Sequence, residues 1–197
     1  MIPFELLLGS LAGLIFPFFP YRARNILLPV ISLSMAVVML LLQIQVWQEG
    51  TVSGQIEAGR FLWLWKADLS AGIFLLVFNL TAFFAILHFY KNPVKFSKIQ
   101  HGLPESAFLW MQTGLSGMIL ANDVSSFLIF WEMMSVASFI AGFFRNESRF
   151  SFALTRYFIQ MHIGAGFLIA GFSRMVAIQG FQEIPVLISE EIGRAHV

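Results

Sequence analysis

LANDVSSFLIFWEMMSVASFIAGFF, running from Leu120 to Phe144, decides how this chain folds. After the polar break at Asn122 and Asp123, the run from Val124 to Phe144 holds one charged residue, Glu132, before Arg145 ends it. A helix rises about 1.5 Å per residue, and a bilayer core is about 30 Å thick, so about 20 apolar residues suffice to cross it. Inside lipid the backbone N–H and C=O groups must satisfy one another, which makes such a run a transmembrane helix. Glu132 then sits about eight residues, or about 12 Å, into the core.

A carboxylate at that depth costs about 2.5–3.5 kcal/mol even on mild insertion scales, so it faces other helices or a water-filled cavity. Two uses are open to it: a proton or ion relay, or one half of a structural ion pair. Ser135 lies at i+3 and is its candidate supporting residue. Ser138 and Gly142 form a small-xxx-small pair, which reads as close helix packing.

Working outward, five more apolar runs flank this one. The expected spans are 3–19, 26–47, 71–90, 106–120, 124–144 and 153–177. The polar stretch 48–70 contains Gly50, Gly54, Gly59 and the alternating FLWLW (Phe61–Trp65), and reads as an extramembrane loop with a short strand. The first span lacks the basic start and small-residue cleavage site of a signal peptide. The fold class is therefore all-α: a polytopic transmembrane bundle of about six spans. Composition agrees, with 58% hydrophobic and 12% charged residues and a mean hydropathy of +0.78. A soluble domain has about half and about a quarter, and a disordered chain needs still more charge.

The charges that remain are unevenly placed. Loops after spans one, three and five carry Arg22, Arg24, Lys91, Lys95, Lys98, Arg145, Arg149 and Arg156. The opposite side carries Arg60, Lys66 and Arg174. The positive-inside bias puts the first set in the cytoplasm and the N-terminus outside. Net charge is +1, with no concentrated basic face for nucleic acid. The chain has no Cys, which removes disulfides and thiolate metal sites, and no His/Asp/Glu cluster has metal-ligand spacing. GAGFLIAG (Gly164–Gly171) has the wrong glycine spacing for a dinucleotide loop and lies inside an apolar helix.

Among the other polar residues, His162 stands about nine residues into span six, and imidazole exchanges protons near neutral pH. It is a second candidate for proton translocation, against the alternative of an interhelical hydrogen bond. Gln112, Thr113 and Ser116 either line a path or bond between helices. Asp68 and Ser70 read as caps of the third span.

The core FWEMMSVAS (Phe130–Ser138) resembles the fifth helix of a large family, with Phe-Trp-Glu followed by Ser three residues after the Glu. Its members are the antiporter-like membrane subunits of respiratory complex I, of membrane-bound hydrogenases and of multisubunit sodium/proton antiporters. RYFIQMHIGAGFLIAGF (Arg156–Phe172) is most similar to the hydrogenase-4 and formate-hydrogenlyase branch, and ADLSAGIF (Ala67–Phe74) resembles the start of the family's third helix without its usual Gly.

The resemblance implies a fold of about fourteen helices built on inverted repeats, of which this chain is the N-terminal part. It implies that Glu132 takes part in proton or sodium movement, paired in the family with a Lys on a broken seventh helix that has no position here. It also implies other membrane subunits as partners, an inner (plasma) membrane location, and no cofactor in this chain. Nicotinamide, flavin, nickel and iron–sulfur chemistry would belong to those partners. The last six residues, IGRAHV (Ile192–Val197), resemble one frame of a sequencing adapter, so natural sequence is expected over 1–191. Two rival functions stand beside ion translocation. One is a structural membrane subunit without an ion path. The other is an unrelated solute transporter, which would show Gly/Pro-broken helices at the midplane.

Overall fold

The computed structural model describes residues 2–58, 61–91, 102–143, 148–179 and 184. It contains six α-helices and one β-hairpin: α1 (Ile2–Ile15), α2 (Tyr21–Glu49), β1 (Val52–Ala58), β2 (Phe61–Ala67), α3 (Leu69–Lys91), α4 (Leu103–Leu120), α5 (Val124–Phe143) and α6 (Ser148–Gln179). Every expected span is a helix. The boundaries differ where local chemistry overrides hydropathy. Pro17 converts the end of the first span into a 3-10 turn, Phe16–Phe18. Pro20, with φ −64°, starts α2 five residues early and so takes Arg22 and Arg24 into the helix. Helix α6 runs beyond its apolar part at both ends.

Three helical segments, Arg22–Glu49, Leu69–His88 and Val124–Phe143, are long and apolar enough by themselves to cross a membrane. The remaining helices differ for physical reasons. Helix α1 has only 14 residues, and α4 is central, with Gln112, Thr113 and Ser116 all fully buried. A helix enclosed by others needs no apolar coat, provided its polar groups bond internally.

The surface is the inverse of a soluble protein's. Val37, Leu41 and Ile44 on α2, Phe74 and Phe84 on α3, and Ile163 and Phe167 on α6 are exposed, while Ser32, Asn79, Gln112 and Ser116 are buried. Apolar outside with polar groups paired inside is the arrangement a lipid environment favours, and it places the chain in a membrane.

Helices α4 and α5 form the most extensive helix pair. Gly114 makes that closeness possible: a Cβ there would lie 2.8 Å from the Met134 backbone nitrogen and 3.0 Å from the Phe130 carbonyl. Gly117 sits directly against the Phe130 ring. Gly142 lets α5 sit against the Leu154 side chain of α6, the packing role expected of it.

The loop expected over 48–70 is an antiparallel hairpin in register Val52↔Ala67 to Ala58↔Phe61. Trp63 is buried and joins Met39, Leu42, Val46 and Leu75 in the main apolar core. Its ring packs on Phe130 of α5 at 5.3 Å. The hairpin is thus a cap on one end of the bundle, not a free loop.

Candidate functional site

Helix α5 presents Glu132 toward α6, and α6 presents His162 toward α5. Nε2 of His162 lies 3.2 Å from Oε2 of Glu132, and each side chain is 36% exposed. Nδ1 of His162 is 2.9 Å from the Phe158 carbonyl oxygen, one turn back on its own helix. The imidazole also leans on the Phe158 ring at 3.9 Å, and Phe158 packs on Phe139 of α5 at 4.4 Å. The histidine is therefore held on three sides, and only Nε2 faces an ionisable partner.

On its other side Glu132 lines an open groove of about 330 Å³, together with Ser10 and Leu14 of α1, Trp110 of α4 and Met133 and Val136 of α5. The Trp110 indole N–H donates to the Ser10 carbonyl at 3.0 Å and fixes that wall. Glu132 is thus reachable from the α1/α4 side.

The Ser135 hydroxyl is directed to the backbone and not to the Glu132 carboxyl. The residue is buried, and its hydroxyl donates to the Trp131 carbonyl at 2.9 Å. Ser138 likewise donates to the Ser135 carbonyl at 2.8 Å. Among the described residues no group of three His, Cys, Asp or Glu side chains is placed to hold a metal.

Sequence reasoning missed a second polar assembly. Ser32 of α2 donates to Gln112 Oε1 of α4 at 3.0 Å, and Gln112 Nε2 donates to Asn79 Oδ1 of α3 at 2.8 Å. Asn79 Nδ2 in turn donates to Ser116 of α4 at 3.1 Å and to the Leu75 carbonyl at 2.9 Å. Gln112 and Ser116 therefore bond between helices, the second of the two readings left open for them. The signal for Asn79 was its isolation as an amide in the middle of the apolar α3.

Asp123 is fully buried and does more than break two spans. Its carboxylate accepts the Ser126 N–H at 2.8 Å and the Ser126 hydroxyl at 2.6 Å, capping α5. It also accepts the Leu64 N–H of β2 at 2.8 Å. The Glu132 helix and the hairpin are thus tied at one carboxylate. Asp68 accepts the Ala71 N–H at 2.8 Å and caps α3 as expected. Arg24, counted as a topological charge, is buried and lies 3.9 Å from Glu105.

Residues 121–195 match the family described as NADH:quinone oxidoreductase/Mrp antiporter, transmembrane region. The match covers α5, Glu132 and all of α6. This region is similar to the transmembrane part of that family's membrane subunits. The resemblance read from Phe130–Ser138 is thereby borne out. A comparison with curated proteins returned no match.

Solved structures extend the likeness to the whole fold. A chain of the membrane-bound sulfane sulfur reductase, an archaeal respiratory membrane complex, superposes with a TM-score of 0.80 at 19% identity. That superposition covers 94% of this chain and 38% of the other. A chain of the Mrp complex from Dietzia sp. DQ12-45-1b superposes with a TM-score of 0.72 at 15% identity, covering 94% and 20%. At these identities the likeness is one of fold. The chain spans about two fifths of the first and one fifth of the second.

Proposed function

We propose that this chain is part of an ion-translocating membrane subunit of a multisubunit respiratory or Mrp-like complex, and that Glu132 and His162 are its proton-exchanging pair. The observation that carries this is the 3.2 Å approach of an intramembrane carboxyl to an imidazole on the next helix. Intramembrane ionisable groups are costly, and their common uses are relays and ion pathways. The ion is a proton in this reading, because a carboxyl and an imidazole exchange protons directly.

The physical logic of the pair is charge conservation. When Glu132 passes its proton to Nε2, a neutral pair becomes a carboxylate–imidazolium pair, so no isolated charge is created in low dielectric. The reading places the odd-numbered connections in the cytoplasm, the N-terminus outside, and the complex in the cell's inner membrane. Redox or antiport energy would come from other subunits, as would any cofactor.

In the assembled complex, Glu132→Gln keeps the side chain's size and hydrogen bonding but removes its titration. Coupled proton movement should fall about 100-fold, the lower end of what a positioned acid–base group contributes, with assembly intact. Glu132→Asp should retain part of the activity. Wild-type pumping by the Gln variant would reduce Glu132 to a brace between α5 and α6 and favour a purely structural subunit.

A further inference from the structure

We infer that His162 exchanges protons through Nε2 alone and is not a two-nitrogen relay, so that its route within the pair is the one contact with the Glu132 carboxyl. The inference rests on the pair reading above and adds a direction to it. An imidazole that relays takes a proton on one nitrogen and releases it from the other. Here Nδ1 lies 2.9 Å from the Phe158 carbonyl oxygen. A carbonyl oxygen only accepts, so Nδ1 must carry hydrogen. It also cannot hand that hydrogen on, because a backbone carbonyl is not a base at any physiological pH.

That fixes the neutral tautomer as Nδ1–H with a lone pair on Nε2. Nε2 faces Glu132 Oε2 at 3.2 Å, and a lone pair facing a carboxylate makes no bond. The contact therefore contains one shared proton. In one state the carboxyl O–H donates to Nε2. In the other the O–H bond has broken, its electron pair stays on oxygen, and the Nε2 lone pair has formed a new N–H bond. The products are carboxylate and imidazolium, with total charge unchanged. Because Nδ1 is occupied, that proton leaves the ring from Nε2, the nitrogen that faces Glu132.

The surroundings agree. α5 packs on α6 and presents Glu132 to the ring. On α6 itself Arg156 turns to the Phe152 ring at 5.7 Å. The groove between α1, α4 and α5 is lined by Glu132 and not by His162, so it reaches the pair at the carboxyl.

The test is solid-state NMR on the full chain in lipid bilayers, with ¹⁵N-labelled histidine. The four histidines are His88, His101, His162 and His196, and a His162→Gln sample assigns the signals. The expected result is that Nδ1 of His162 stays protonated across the whole pH titration while only Nε2 changes. In Glu132→Gln the Nδ1–H tautomer should persist, because Phe158 and not Glu132 sets it. A neutral Nε2–H tautomer in the wild type, or a tautomer that switches in Glu132→Gln, would overturn the inference. Neither outcome depends on transport, so a failure here is separable from a failure of the pair to move ions.

Discussion

Glu132 is one residue with two neighbourhoods, His162 on α6 and the groove beside Trp110, and its role depends on having both. Its depth was legible in the sequence, because hydropathy locates a residue along the membrane normal. Its partner was not, because hydropathy says nothing about which face of α5 meets which face of α6. The same gap hid the Ser32–Gln112–Asn79–Ser116 chain: each residue is readable as polar and intramembrane, but the pairing is a property of three helices together. This network makes a contrast at the residue scale. Asn79→Leu strands Gln112 and Ser116 and should lower stability by about 1–2 kcal/mol, the range for interhelical hydrogen bonds in lipid. Thr113→Val at a neighbouring position should cost little, because the buried Thr113 hydroxyl has no partner among the described residues. Reversible unfolding in mixed micelles, measured on both variants, checks the difference. Equal destabilisation would mean that the amide chain holds nothing together.

At the scale of elements, α5 is positioned from three directions: the glycine face of α4, Leu154 of α6, and the hairpin through Asp123 and Trp63. Gly117→Leu forces a side chain into the Phe130 ring and should destabilise the bundle by about 1–3 kcal/mol, the usual cost of overpacking. Asp123→Ala removes both the α5 cap and the acceptor of the Leu64 N–H. Hydrogen exchange at the Leu64 amide should accelerate by about tenfold, for a lost cap of about 1 kcal/mol or more. Unchanged exchange at Leu64 would show that the apolar contacts of Trp63 alone seat the hairpin. The hairpin was half legible: FLWLW alternates visibly, whereas its partner VSGQIEA (Val52–Ala58) is more polar and broken by Gly54, so only one strand announced itself. The break at Asn122–Asp123 was legible as a break but not as a junction, since the bond to Leu64 spans 59 positions of sequence.

For the whole molecule, the six helices, the apolar exterior and the polar interior all describe a membrane bundle, and the proposed orientation rests on where the Lys and Arg residues fall. The absence of native Cys makes that orientation directly testable. Gln55 is exposed on β1, so Gln55→Cys should label from outside, and Lys95→Cys should label only after permeabilisation. Gly54 is a poor choice for the outer probe, because a side chain there would meet the Trp65 ring at 2.7 Å. Preferential outside labelling at position 95 would invert the topology. The proposed proton-exchanging pair is also to be tested in the whole assembly. Its two members should behave as one, which calls for a double-mutant cycle on coupled proton movement by the assembled complex. His162→Gln alone should lower the rate by several-fold, Glu132→Gln alone by about 100-fold, and the two together no further than Glu132→Gln by itself. Independent, multiplying losses, or a Glu132→Gln variant that pumps like the wild type, would contradict a shared proton between Glu132 and His162.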